Sequence, residues 1–187
     1  MECLIWLATI NLERRDLSSV ERLCNEIDEI AKRLAYALPP VSAAFRVLAQ
    51  LDTCERDLTP ALDQAVAALR DFDDKAHLAY VLNFAADDAF IKGRYGQASS
   101  AASEALTTAK AMPRATEIVV ATSILARIEC AGGNRAAAIG RIQGLVSEYD
   151  FSSLSARATT HLKRAANDIG LALQFLPASK KEDHRNS

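Results

Sequence analysis

Apolar side chains return every three or four positions along most of the chain. Val20, Cys24 and Ile27 do so, then Phe45, Leu48 and Ala49, then Ala98, Ala102 and Ala105, then Ala138, Ile142 and Leu145. That spacing gathers them on one face of a helix. Breaking and capping signals cut the pattern into pieces of helical length. Ser18 with Glu21 is a Ser-x-x-Glu capping box and predicts a helix start there. Pro39-Pro40 stops that helix, because proline removes a donor and restricts the residue before it. Thr59 as N-cap and Pro60 at the first helical position predict another start. Asp71 to Asp74, Gly93-Arg94-Tyr95-Gly96, Met112-Pro113, Gly132-Gly133-Asn134 and Asp150-Phe151-Ser152 supply further turns. The helices expected lie at 2–14, 18–37, 41–54, 59–71, 75–92, 95–111, 114–131, 134–148 and 152–175.

Helices alternating with short turns call for a test of self-similarity. Superposition on the turn inside each helix pair aligns Ala8, Ala49, Ala86 and Ala126, with offsets of 41, 37 and 40 residues. Leu7, Leu48, Ala85 and Leu125 directly precede them, and Leu4, Phe45, Leu82 and Thr122 stand three or four positions earlier. Beyond the turn, Val20, Ala61, Ala98 and Ala138 align, then Cys24, Ala65, Ala102 and Ile142, then Ile27, Ala68, Ala105 and Leu145. Small residues recur where two antiparallel helices approach most closely, and larger ones fill the grooves beside them. A single pair cannot bury its own apolar face, so successive pairs must stack.

The third unit runs from Leu82-Asn83-Phe84-Ala85-Ala86 through Gly93-Arg94-Tyr95-Gly96-Gln97-Ala98 to Ala105 and resembles a tetratricopeptide repeat. The fourth, with Leu125-Ala126, Gly133 and Ala138, is similar; in the first two, Arg15 and Arg56 stand where that family favours Gly, and Leu17 and Leu58 where it has Tyr. The resemblance covers residues 1–148. Offsets near 40 exceed the usual repeat of about 34 residues. They resemble the longer helical repeats in the sensor region of bacterial LuxR-type, ATP-dependent transcriptional activators. That resemblance implies an all-α, tetratricopeptide-like solenoid of four antiparallel helix pairs (1–38, 41–72, 75–111, 114–148) with a capping helix at 152–175, in one domain of residues 1–175. It also implies binding of an effector or another protein in a regulatory, bacterial, cytoplasmic setting. The chain has no G-x-x-x-x-G-K-[ST] phosphate loop, and its last 40 residues are too short for the DNA-binding domain of those activators.

Composition agrees with helix. Of 187 residues, 35 are Ala and 22 Leu, while aromatics make up 6%. Ala and Leu are the best helix formers, and the residues that favour strands are sparse. The net charge of −2 argues against the basic footprint of a nucleic-acid binder. Its distribution is uneven: residues 1–93 hold 16 acids and 10 bases, residues 94–187 hold 8 acids and 12 bases. A bipolar particle of this kind suits head-to-tail self-association or steering of a charged partner. No charge-free stretch reaches the roughly 18 residues of a membrane span. Cys3, Cys24, Cys54 and Cys130 are widely spaced in apolar helical stretches and read as buried, reduced thiols.

The first helix is apolar on nearly every side, at Leu4, Ile5, Trp6 and Leu7. Arrays usually end in a unit with a polar outer face. The chain therefore reads as the tail of a longer array, as one that pairs its first helix with another molecule, or as one that buries Trp6 within its first pair.

Catalytic groups are scattered. His77 follows Asp73, Asp74 and Lys75 at a helix start and reads as solvated; His161 and His184 lie elsewhere, and no H-x-x-x-H or H-E-x-x-H spacing occurs. Asp87 and Asp88 are adjacent on a helix, so they diverge by about 100° and form no facing acid–base pair. Ser99, Ser100 and Ser103 lack a neighbouring base and read as a solvated face.

The inner, concave surface is the better candidate. In tetratricopeptide arrays it is lined by the first helix of each pair, which implies Ile5 and Thr9, Arg46 and Gln50, Asn83 and Asp87, Ser123 and Arg127. The last six are polar and suit an extended peptide or acidic segment, with arginine clamping carboxylates and Tyr80 and Phe90 adding aromatic contact. The last helix, with Leu154, Leu162, Ile169, Leu171, Leu173 and Leu176, would cover the open end of the array, and 176–187 would be a disordered tail. The reading is a non-catalytic protein–protein interaction module binding a protein or peptide, with no cofactor or metal, no direct nucleic acid and no membrane. Two alternatives stand beside it: a small-ligand sensor or enzyme with a pocket inside the superhelix, and a homodimeric helical scaffold.

Overall fold

A computed structural model describes residues 1–51, 57–150 and 154–172, and among them the chain is all-α, with nine helices and no strand. They are α1 Glu2–Glu13, α2 Leu17–Arg33, α3 Pro40–Gln50, α4 Thr59–Asp71, α5 Lys75–Ile91, α6 Tyr95–Ala111, α7 Ala115–Ala131, α8 Arg135–Glu148 and α9 Ala156–Ile169.

Side-chain caps start α2, α5, α8 and α9, and not always at the residue the sequence suggests. Asp16, not Ser18, caps α2: its carboxylate accepts the Ser19 N–H at 3.1 Å and the Ser18 hydroxyl at 2.8 Å. A carboxylate is the better acceptor at the positive end of a helix. The Ser19 and Ser18 bonds hold the Asp16 pKa below the ordinary aspartate value. Thr59 is the first residue of α4 and not its cap, because Asp57 accepts both its N–H and its hydroxyl, at 3.0 and 2.6 Å. Pro40 opens α3, where its fixed φ is already helical; α2 has ended at Arg33.

Most of the helix ends share one closure. The N–H of Asp16 reaches back five residues to the Asn11 carbonyl, and Tyr36, Asp74, Arg94, Asn134 and Leu171 do the same to Ala31, Leu69, Ala89, Glu129 and Ala166. The residue before each donor is left-handed, with φ of +59° at Arg15, +54° at Ala35, +53° at Asp73, +72° at Gly93, +83° at Gly133 and +69° at Gly170. The closure satisfies carbonyls that the helix leaves orphaned, which outweighs the roughly 1 kcal/mol of left-handed strain at the non-glycine positions. Gly170 ends α9 in this way, earlier than the span 152–175 anticipated; residues 152, 153 and 173–175 of that span lie outside the described residues, as do the tail 176–187, Cys54, Arg56 and His184.

The odd-numbered helices form one row, each touching the next, while α2, α4, α6 and α8 each contact the helices before and after them in the chain. Two large apolar cores result among the described residues, beside a small cluster of Ala79, Ala109 and Ile118. One holds Phe45, Leu48, Leu62, Leu69, Val81 and Leu82, the other Val119, Val120, Ile124, Ile142, Leu162 and Ile169. Ala8, Ala86 and Ala126 are fully buried, whereas Ala49 is half-buried. In α4 the inward face only partly follows the aligned alanines: Leu62, Ala65, Val66 and Leu69 are buried, Ala61 is half-buried and Ala68 is exposed. Burying the larger side chains removes more apolar surface from water. Cys24 is buried but Cys3 is exposed and Cys130 half-buried, so the thiols are not all in the core. No helix among the described residues is long and apolar enough to cross a membrane.

Candidate functional site

Of the residues expected along an open groove, Tyr80 and Asp87 line cavities, while others turn away or are buried. Arg46 turns to α2, where it meets Glu21 at 3.1 Å, Asp28 at 2.9 Å and the Asn25 side chain at 2.8 Å. Gln50 is exposed at the end of α3, and Ser123 is fully buried. Tyr80 and Asn83 are also buried, and Asp87, Phe90 and Arg127 are half-buried. Helix α9 packs against α7 and α8 and brings Arg157, His161 and Arg164 to the inner face, where they line a cavity together with Asp87.

Two charged clusters lie on that face. In the first, Arg157, with a side chain only 9% exposed, bridges Glu117 of α7 and Glu13 of α1, the latter at 3.1 Å. The Asn83 amide donates to the Glu117 carboxylate at 2.8 Å and to its carbonyl at 3.1 Å. Arg157 also lies over the Tyr80 ring, 4.5 Å from its centroid, and within 5.7 Å of that of Phe84. Burial opposes the charge on Arg157, but Glu117 beside it raises its pKa above the ordinary guanidinium value. Burial pushes the Tyr80 hydroxyl well above the usual tyrosine range, and that hydroxyl has no hydrogen-bond partner.

In the second cluster, Arg127 joins Asp87 at 2.9 Å and Asp168 at 2.7 Å while covering the Phe90 ring at 4.3 Å. Arg164 is 3.9 Å from Asp87. His161 sits between the clusters with its Nδ1 buried and unpartnered. Its pKa is lowered to about 4, chiefly by burial; Asp87 opposes the shift, and Arg157, Arg164 and Arg127 add to it. Asp88 points elsewhere, to Lys92 and Arg94, so the two adjacent carboxylates diverge as the helix requires. His77 is half-buried, its Nδ1 2.7 Å from Asp74 and its ring edge-on to Phe45, and is not the solvated side chain its position implied. Among the described residues no three His, Cys, Asp or Glu side chains are placed to hold a metal ion.

The Glu13–Arg157 pair crosses the inner face and leaves a cavity on each side. One, of about 500 Å³, is lined by Leu12, Arg15, Leu48, Phe84, His161 and Arg164 among others. The other, of about 360 Å³, is lined by Trp6, Ile10, His77, Tyr80, Arg114 and Ser155 among others. Trp6 is 46% exposed and takes the Arg114 guanidinium over its ring at 5.1 Å, so it does not pack within the first pair.

Glu13, Glu117, Arg157, His161 and Arg164 were not singled out by sequence. A signal for them existed in the period: Glu117 and Arg157 are 40 residues apart and Arg127 and Asp168 are 41 apart. One more step of 40 from Ala126 reaches Ala166, which is buried in α9. Comparison with family models, with curated proteins and with solved structures finds no match for this chain.

Proposed function

We propose that this chain is a non-catalytic protein-interaction module, built as a tetratricopeptide-like solenoid, that docks an amphipathic helix of another protein on the apolar edge formed by α1 and its neighbouring loops. The solenoid reading is supported by the continuous row of odd-numbered helices and by the buried alanines spaced near 40 residues. One observation carries the docking reading: large apolar side chains are exposed together at one end of the molecule. Trp6, Leu7 and Ile10 of α1 are 46%, 47% and 43% exposed. Met1, Ile5, Tyr36 and Phe72 line a groove of about 370 Å³ beside them. Monomeric proteins rarely leave such a contiguous patch to water.

Leu7 and Ile10 are three apart on one helix face and present a ridge that a second helix can straddle. The rim is acidic, with Glu2, Asp71 and Asp73 exposed, so the partner helix carries basic flanks. A regulatory, cytoplasmic setting is the one implied by the resemblance to activator sensor regions. A photo-crosslinking residue placed at Leu7 in the full chain tests the reading. The expected result is one discrete adduct with a partner protein, lost in a Phe72→Asp variant of unchanged circular dichroism. No adduct, together with a monomer by light scattering, would overturn it; an adduct with a second copy of the chain would replace it by the homodimer reading.

A further inference from the structure

We propose that the cavity of about 500 Å³ between α1, α3, α5 and α9 binds a small organic carboxylate with an apolar body. Its size falls in the range of metabolite-binding sites, roughly 300–1,000 Å³. One wall is apolar, made by Leu12, Leu17, Leu48 and Phe84. The facing wall is the N-terminal half of α9, with Ala156, Arg157, Thr160, His161 and Arg164. Arg15 lies at the rim.

Two carboxylates also line the cavity, and both are already held. Glu13 is paired with Arg157 at 3.1 Å and Asp87 with Arg127 at 2.9 Å. Arg164 is different: it meets Asp87 only at a long 3.9 Å, and its side chain is 54% exposed. A guanidinium carries five donors in a planar fork that matches a carboxylate, so most of the donors of Arg164 remain to be used. His161 also lines the cavity, its Nδ1 shut off from solvent and without a partner. The first turn of α9 contributes the positive end of its dipole.

These features favour a monoanion with an apolar tail over a phosphate. One under-used guanidinium matches the two oxygens of a single carboxylate, while a dianion would need more cations, since an unmatched buried charge is costly. Filling the apolar wall requires a hydrocarbon body that inorganic anions lack.

Octanoate serves as the probe, with acetate and octanol as head-only and tail-only controls, each titrated into the full chain by calorimetry and by nitrogen NMR of the histidine rings. Octanoate is expected to bind and to shift the His161 ring resonances, while acetate and octanol bind at least about tenfold more weakly. Arg164→Gln is expected to weaken octanoate about tenfold and to leave octanol unchanged. Unmoved His161 resonances at about 10 mM octanoate, a weak-binding ceiling, would overturn the proposal. So would octanol binding as tightly as octanoate, or an Arg164→Gln protein that binds octanoate like the parent. Octanoate bound only on the exposed edge of α1 leaves His161 unmoved and counts against the cavity.

Discussion

At the scale of single residues, the inner face consists of charges whose energies depend on one another. His161 illustrates the consequence for acid stability. Its native pKa is near 4 instead of the ordinary 6.5. Below pH 6.5 the unfolded chain gains a proton at this ring that the native protein refuses, so the stability held above pH 6.5 declines as the pH falls toward 4 and levels off beneath it. His161→Gln should therefore lose less of its urea midpoint than the parent across that window, with Asp87 and the surrounding arginines unchanged. Parallel losses in the two proteins would refute the assignment. Burial acts oppositely on a thiol: it raises Cys24 to about 11, so at neutral pH that side chain behaves as a small hydrophobe.

At the scale of elements, the repeated closure of helix ends explains why spans were legible to within a few residues while caps were less so. Helix stops were marked by prolines, glycines and charged clusters, all local signals. The choice between Asp16 and Ser18, or Asp57 and Thr59, depends on which side chain reaches the free N–H, a matter of a rotamer that the residue types leave open. Glycines separate by the same logic. Gly140 and Gly144 lie inside α8, exposed, and a Cβ on either would meet nothing within 4 Å. Replacing each by Ala should stabilise the protein by roughly 0.5–1 kcal/mol in chemical denaturation, because alanine has less backbone freedom to lose. Gly93 has equally open surroundings but a φ of +72°. There Gly93→Ala should destabilise by about 1 kcal/mol, through backbone strain alone.

At the scale of the whole molecule, the Arg157 cluster ties the first helix to the last. Glu13 and Arg157 are 144 residues apart in sequence, and the guanidinium that joins them also neutralises Glu117. Removing the cation alone leaves a buried carboxylate uncompensated. Arg157→Met should therefore cost about 3–5 kcal/mol. The double variant Arg157→Met, Glu117→Gln should lose markedly less than the single one, since no buried charge then lacks a partner. A double variant that loses as much as or more than the single one would show that the pair itself, and not its neutralisation, holds the ends together.

The sequence by itself determined the helical class, the boundaries of most helices but not those of α9 or the ends of α2 and α3, and the spacing near 40 residues, because apolar periodicity and chain breakers are properties of neighbouring residues. Tyr80, Asn83, Asp87, Phe90 and Arg127, expected on an open concave face, are buried or half-buried. What they face was settled only in three dimensions: α9 closes on α7 and α1, the intended groove becomes a set of mutual ion pairs, and Arg46 turns away to α2. A charge finds its partner by distance in space, and five helices had to be stacked before Arg157 came within reach of Glu13.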